Sequence, residues 1–406
     1  MKYFNIIGLL ILITSAVFAT EKLTLDQCIQ IAIRNNKSLT KNELSVQQTA
    51  LGTKEAYANL YPSAKASASE SGSDGNSKLS TGLSINQNIY SPGLFSDIKL
   101  AHNKNEIAKL NREDLVAQIR TEIETAYYNI LTSQGLLSVY RENLIAADDN
   151  LDMIRTMYNL GTKTESDVLK AEVQKGEIEN KLISRELELT NEKRSLAILM
   201  GITPDQDFEI EEIDIEQINV PPISEAMELI FKNNYEYQAL QKSLKSEQIN
   251  LKIAKESYLP ALSAGYSYLK DWTGIKTTDG YGSWNISASI GLFEGFRKKQ
   301  TVQKNQLSLI SAKVDLDAKE QELLSTLLTY YSNLDNYNKV IVLQEKTLES
   351  ARKSYELVTR QYELGLATML EQTTAQLSVV EAQANLVKAK YSRKIVESQV
   401  RQLLAM

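Results

Sequence analysis

The stretch VAQIRTEIETAYYNILTSQGLLSVYRENLIAADDNLDMIRTMYNLG, residues 116–161, decides the fold. Its apolar residues fall at Val116, Ile119, Ile123, Ala126, Ile130, Leu137, Tyr140, Leu144, Ala147, Leu151, Ile154 and Tyr158, with Ser133 in the one gap. The steps alternate three and four, the 3.5-residue average that keeps one side of a helix turned toward a partner helix. No proline lies between Pro92 and Pro204, and Gly161 supplies the helix-ending residue. A second helical run returns from Asp167, so the stretch is one arm of a long antiparallel hairpin.

The same seam recurs later, at Leu327, Tyr330, Leu334, Tyr337, Ile341, Gln344, Leu348, Ala351, Tyr355, Val358 and Tyr362, and leads to Gly365. Working outward from both, the chain retraces one order twice. Thr24 and Gln27 form a capping-box pattern opening a short helix to about Asn36, matched by residues 223–234. A helix over 38–60 stops at Tyr61-Pro62, and its counterpart over 236–258 stops at Leu259-Pro260. Two strands follow in each half, over 63–90 around a Gly72-to-Asn76 turn, and over 261–293. The coiled-coil hairpins then run over 97–200 and 296–405. We therefore divide the chain into a repeat at 20–200, an acidic proline-bearing linker at 201–222 and a repeat at 223–406. The long helix from about Asp97 spans about 90 Å at 1.5 Å per residue. Only the shorter helices before and after it, placed end to end, match that length. The expectation is a rod, with strands at one end and Gly161 and Gly365 at the other.

Lys2, the apolar run from Ile6 to Phe18 and Val17-Phe18-Ala19 read as a signal peptide over 1–19, too short for a spanning helix of about 20 apolar residues. Cys28 lies too far beyond it to be a lipoprotein cysteine and reads as a buried thiol. A net charge of −6 without a basic patch gives no footprint for nucleic acid, and a single cysteine and histidine argue against disulfide frameworks and most zinc chemistry. The acids Asp205, Asp207, Glu209, Glu211, Glu212, Asp214 and Glu216 lack the spacing of a calcium loop. No phosphate loop, nucleophile elbow or metal cluster stands out, so neither cofactor nor enzymatic activity is expected.

Each strand is about ten residues, the length that crosses an outer membrane when tilted. Leu79, Thr81, Leu83, Ile85, Gln87 and Ile89 share one face in the first hairpin. Leu262, Ala264, Tyr266 and Tyr268, with Trp284, Ile286, Ala288, Ile290 and Leu292, do so in the second. Ser263, Ser267, Asn285, Ser287 and Ser289 fill the other face. Tyr266, Tyr268, Trp272, Tyr281 and Trp284 are the candidate membrane aromatics. Four strands cannot close a barrel, and open edges are not tolerated in lipid, so the chain must borrow strands from its own copies. Three chains give twelve. A soluble sheet packed on the helices is the alternative.

Signal, short helix, helix to a Tyr-Pro or Leu-Pro, strand pair and coiled-coil hairpin, all duplicated, resemble the TolC family of outer-membrane efflux proteins. The most specific parts are the run from Tyr158 to Leu169, the turn Tyr362-Glu363-Leu364-Gly365, and the opening from Leu23 to Asn36. The resemblance implies a mainly α fold with a membrane β-barrel portion: a homotrimer whose twelve-stranded barrel sits in outer-membrane lipid and continues as a helical tube across the periplasm. It implies a passive exit duct for a tripartite efflux pump or type I secretion system, joined through a periplasmic adaptor to an inner-membrane transporter. The hairpin tips, Gly161, Thr162 and Lys163 with Gly365, Leu366 and Ala367, would then meet the adaptor.

In that family the turns close the periplasmic entrance. Asp167 falls on an aspartate that holds it shut, and Tyr362 on a tyrosine of the same hydrogen-bonded latch. The latch arginine is replaced by Ala367. Of two acids ringing the constriction, the first falls on Glu371 and the second on Thr374. Three copies of Glu371 about an axis would repel anions and raise one another's pKa. The plainer alternative makes Asp167 and Glu371 solvated acids in the first turn of a helix. Tyr158 and Tyr362 are the last seam residues of their coils. The alternative to a duct is a non-conducting periplasmic coiled-coil scaffold or adhesin stalk.

Overall fold

The computed structural model describes residues 22–73, 76–213, 220–273, 276–277 and 279–406. The expected signal peptide, Asp74 and Gly75 of the first strand turn, and Asp214 and Glu216 of the acidic segment lie outside the described residues. The first half comprises α1 (Leu25–Asn35), α2 (Lys37–Ala58), β1 (Ser63–Ser73), β2 (Asn76–Tyr90), α3 (Leu94–Asn159) and α4 (Glu165–Met200). The second comprises α5 (Ile223–Asn233), α6 (Tyr235–Glu256), β3 (Ala261–Thr273), β4 (Lys276–Thr277), β5 (Tyr281–Ser289), α7 (Arg297–Glu363) and α8 (Met369–Leu403). Half for half the helices have 11 and 11, 22 and 22, 66 and 67, and 36 and 35 residues. That correspondence is the internal duplication made physical. Among the described residues no helix is long and apolar enough to cross a membrane.

The reciprocal cap on α1 forms as its sequence predicts: the Thr24 hydroxyl accepts from the Gln27 N–H at 3.2 Å, and the Gln27 side chain accepts from the Thr24 N–H at 2.8 Å. The cap leaves Cys28 fully buried, and burial pushes its thiol up to about 12, so it stays protonated. In α3 the seam is buried at Ile119, Ile123, Ile130, Ser133, Leu137, Ala147, Leu151 and Ile154, but it ends there: Tyr158 is exposed. The last turn of α3 runs past the packed region, so seam spacing alone misplaces this side chain. Tyr127, Tyr128, Leu131, Leu136 and Val139 are buried as well, because α3 touches more neighbours than one seam can serve.

Two compact units result, and each draws on both halves of the chain. One collects the described residues of Met1–Asn36, Glu122–Ile218 and Tyr337–Ile395. Within it Leu23 pairs in parallel with Ile210, through Leu23 N–H to Glu209 O at 2.8 Å and Glu211 N–H to Leu23 O at 3.0 Å. The acidic segment is thus pinned by its backbone, while its described acidic side chains stay in solvent. The other unit collects Lys37–Thr121, Asn219–Asn336 and Val396–Met406. There α3 is tied to α6 by Asn103, which donates to Lys242 O at 2.6 Å and to Ser246 Oγ at 2.8 Å. It is tied to α2 by Thr49, whose hydroxyl donates to Asn105 Oδ1 at 3.2 Å.

The sheet belongs to that second unit. β1, β2, β3 and β5 pair antiparallel in that order, and β4 extends the β3 hairpin beside β5. The register stacks Ala64, Ile85, Tyr266 and Trp284 in one row and Ala66, Leu83, Tyr268 and Gly282 in the next. The ladder slips at a bulge between Asn88 and Tyr90, so Ile89 drops out of the expected row and Tyr90 pairs with Leu262. β5 ends at Ser289, short of the expected 293. Glu294 pairs with Arg297 and Lys298, and Lys298 donates to Gly291 O at 3.0 Å, which folds the segment into the turn that starts α7.

Candidate functional site

The two hairpin tips are built by the same device. At the end of α3, Thr162 N–H reaches Met157 O and Gly161 N–H reaches Tyr158 O, both at 2.9 Å. At the end of α7, Leu366 N–H reaches Gln361 O at 2.8 Å and Gly365 N–H reaches Tyr362 O at 3.1 Å. This paired closure needs a left-handed residue, and Gly161 and Gly365 supply it at φ +79 and +76. Three residues after each glycine stands a threonine N-cap. The Thr164 N–H and hydroxyl donate to Asp167 Oδ2 at 3.1 and 2.9 Å, and the Asp167 N–H donates back to Thr164 Oγ1 at 3.3 Å. Thr368 and Glu371 repeat the box, at 2.7, 2.9 and 3.3 Å.

Both acids are therefore engaged as caps of their own helices. Burial pushes the Asp167 carboxyl up, but the Thr164 N–H and hydroxyl, with Lys163 and Lys170, pull it below its ordinary value. The Thr368 N–H and hydroxyl hold Glu371 low too. Lowered folded pKa values mean that both caps contribute fully above the ordinary carboxylate range and are lost as pH falls through the folded values. A charge at a constriction and a cap can be separated. Glu371→Gln keeps the geometry of the capping box without its charge and is expected to lower thermal unfolding only slightly, whereas Glu371→Ala lowers it further. If Glu371 also lines an ion path, Glu371→Gln lowers cation preference in a conductance assay well beyond that small loss of stability. Thr374 donates to Leu370 O of its own helix at 2.8 Å.

Behind the turns lies a small apolar core of Leu151, Ile154, Ala171, Tyr362 and Met369, with Val168 and Ala367 packed on it. Tyr362 is 1% exposed, and its hydroxyl has no hydrogen-bond partner among the described residues. Burial first, and the Asp167 charge second, push its pKa up to about 12. Lys163 reaches across from the first tip, with Nζ 3.5 Å from the Tyr362 ring centroid and 3.4 Å from the Tyr362 carbonyl oxygen. Deeper in the same unit, Gln174 donates to Gln376 at 2.6 Å, Thr373 to Gln174 at 3.0 Å, and Gln372 to Asn150 at 3.2 Å. The structure thus brings Lys163, Asp167, Tyr362 and Ala367 together and leaves Glu371 and Thr374 on their own helix. The Lys163–Tyr362 contact and the amide pairs escape a sequence reading. The available signal was Gln372 and Gln376 at apolar spacing, and a cation two residues past Gly161 with none past Gly365. Leu160, Leu364 and Leu366 stand out into solvent at the tips.

The sheet presents the second candidate surface. Tyr266, Tyr268 and Trp284 lie on the face that carries Leu83, Ile85 and Ile286, and all of these are exposed. Trp272, opposite Leu79, joins that face, donates to Thr81 Oγ1 at 3.0 Å and sits 4.6 Å below Lys270 Nζ. A Cβ at Gly282 would collide with the Tyr266 hydroxyl, so the glycine makes room for the ring. Tyr281 is the exception: it opens β5 opposite Leu269, on the other face. That face carries serine pairs, Ser263 with Ser287 at 2.7 Å and Ser267 with Ser283 at 2.9 Å.

A family model described as outer membrane efflux protein matches residues 28–202 and again 227–406. Outer membrane protein TolC of Vibrio cholerae is 22% identical over 337 residues, covering 80% of this chain and 76% of that protein. Outer membrane protein TolC of Escherichia coli strain K12 is 22% identical over 378 residues, covering 88% and 74%. Among solved structures, the outer membrane protein VceC of Vibrio cholerae shares the fold with a TM-score of 0.85 at 16% identity, covering 94% of this chain and 95% of that one.

Proposed function

The chain belongs to the outer membrane efflux protein family, and from that premise we propose that it is the outer-membrane exit duct of a tripartite efflux pump or type I secretion system. It works passively as a homotrimer, receiving cargo from an inner-membrane transporter through a periplasmic adaptor at the tips around Gly161, Thr162, Lys163, Gly365, Leu366 and Ala367. The two repeats at 20–200 and 223–406 supply two hairpins each to the assembly. Asp167, Tyr362, Glu371 and Thr374 form the neighbourhood of the entrance gate.

The observation that carries this reading is the sheet. One face carries exposed Leu79, Leu83, Ile85, Tyr266, Tyr268, Trp284 and Ile286 on β2, β3 and β5 with alanines on β1, and the outer edges of β1 and β5 have no strand partner among the described residues. In lipid every open backbone group costs several kcal/mol, so such a sheet must close with strands from other copies. Three chains give twelve strands, within the range of outer-membrane barrels.

Native mass spectrometry of the detergent-extracted protein, with conductance in planar bilayers, tests the proposal. A trimer that inserts and gives small, largely closed current steps is expected. A monomer released without detergent would sink the duct and favour the coiled-coil scaffold.

A further inference from the structure

The tips pose a problem of cohesion. The second turn has Ala367 two residues after its glycine, and that alanine packs on the apolar core without offering a charge. The equivalent residue of the first turn, two after Gly161, is Lys163. Its ammonium lies 3.5 Å from the centroid of the Tyr362 ring and 3.4 Å from the Tyr362 carbonyl oxygen. That carbonyl belongs to the last turn of α7, where the helix dipole is negative and favours a cation. Ring face, carbonyl and dipole all attract the same ammonium.

We propose that Lys163 is the clasp between the two hairpin tips of one chain, and that it grips the ring and carbonyl of Tyr362, not the hydroxyl. The inference rests on reading the tips as the gate. Asp167 contributes indirectly: committed to Thr164, it fixes the turn that carries Lys163 and places a negative charge beside it. The pKa directions agree with this grouping, since Lys163 helps lower Asp167 and Asp167 helps raise Tyr362. The hydroxyl takes no part, being buried with no partner among the described residues.

The choice of grip makes the idea sharp. A hydroxyl latch is destroyed by Tyr362→Phe; a ring clasp is not. Bilayer conductance of the full protein is expected to rise roughly 2- to 30-fold for Lys163→Met and Tyr362→Leu, the span of a cation–π contact from exposed to desolvated. Lys163→Arg and Tyr362→Phe should stay near wild type. Hydrogen exchange of the amides at 160–164 and 364–367, measured on the detergent-extracted protein, should accelerate in the same two variants by a similar factor. The clasp is overturned if Tyr362→Phe opens the channel as Tyr362→Leu does, or if Lys163→Met leaves tip exchange unchanged. Should the wild type and every variant give no current steps while exchange follows the expected pattern, the duct reading fails and the clasp stands.

Discussion

Arginine in place of Ile286 is expected to cost about 2–4 kcal/mol per chain and to deplete the protein from the outer membrane, whereas arginine one residue on, at Ser287, leaves assembly intact. The contrast comes from the pleat, which sends successive side chains to opposite faces. Ile286 pairs with Ala264 in mid-strand, exposed on the face that carries Tyr266 and Trp284. A guanidinium there must stay in hydrocarbon or drag water in with it. Ser287 points the other way, its hydroxyl 2.7 Å from that of Ser263. Arginine at that position meets water and alters ion preference through the lumen. In a trimer each penalty is repeated three times, so the Ile286 variant should lose its folded, heat-resistant band on gels and its membrane fraction together. Equal yields of the two variants would place neither face against lipid and would remove the main support for a barrel.

The helices and the duplication were legible because their signals are local. Ile119, Ile123, Ile130, Leu151 and Ile154 repeat at a spacing that only a helix can bury on one side, and Gly161 and Gly365 end both arms. The strand faces were legible for the same reason, alternation being a nearest-neighbour property. What escaped depends on partners far away in sequence. Tyr158 and Tyr362 hold equivalent positions before their glycines, yet one is exposed and the other buried. Only the second has Leu151, Ile154 and Ala171 around it. Tyr281 shares its composition with Trp284 but not its parity, and the start of β5 sets parity, not residue type. Resemblance placed Asp167 and Glu371 at a gate. Local chemistry has already engaged both as helix caps, so any charge they lend to a pore is secondary to that bond.

The other large effect is expected at Tyr127, a residue off the seam. It is fully buried, and its hydroxyl faces Glu211 O at 2.6 Å and Leu23 O at 3.1 Å, sharing one proton between two carbonyls. Those carbonyls belong to Leu23, which bridges to Ile210, and to the segment between the halves, so one side chain of α3 holds both. Removing the ring, as Tyr127→Ala, should destabilise by about 3–5 kcal/mol through the cavity it leaves. Tyr127→Phe keeps the ring and should cost about 0.5–1.5 kcal/mol, because the part-buried Glu211 O loses this donor while Leu23 O keeps the Glu211 N–H. Alkaline pH separates the two causes. Burial, reinforced by Cys28 and the Glu211 carboxylate, raises the Tyr127 pKa above its ordinary value near 10. A raised folded pKa means that the contribution is whole below about pH 10 and is lost as pH climbs toward the folded value. Phenylalanine has no such loss. The gap between wild type and Tyr127→Phe in urea unfolding should therefore narrow above about pH 10, while the gap between Phe and Ala stays constant. A Tyr127→Ala protein that unfolds with wild type would mean that neither segment is docked on α3.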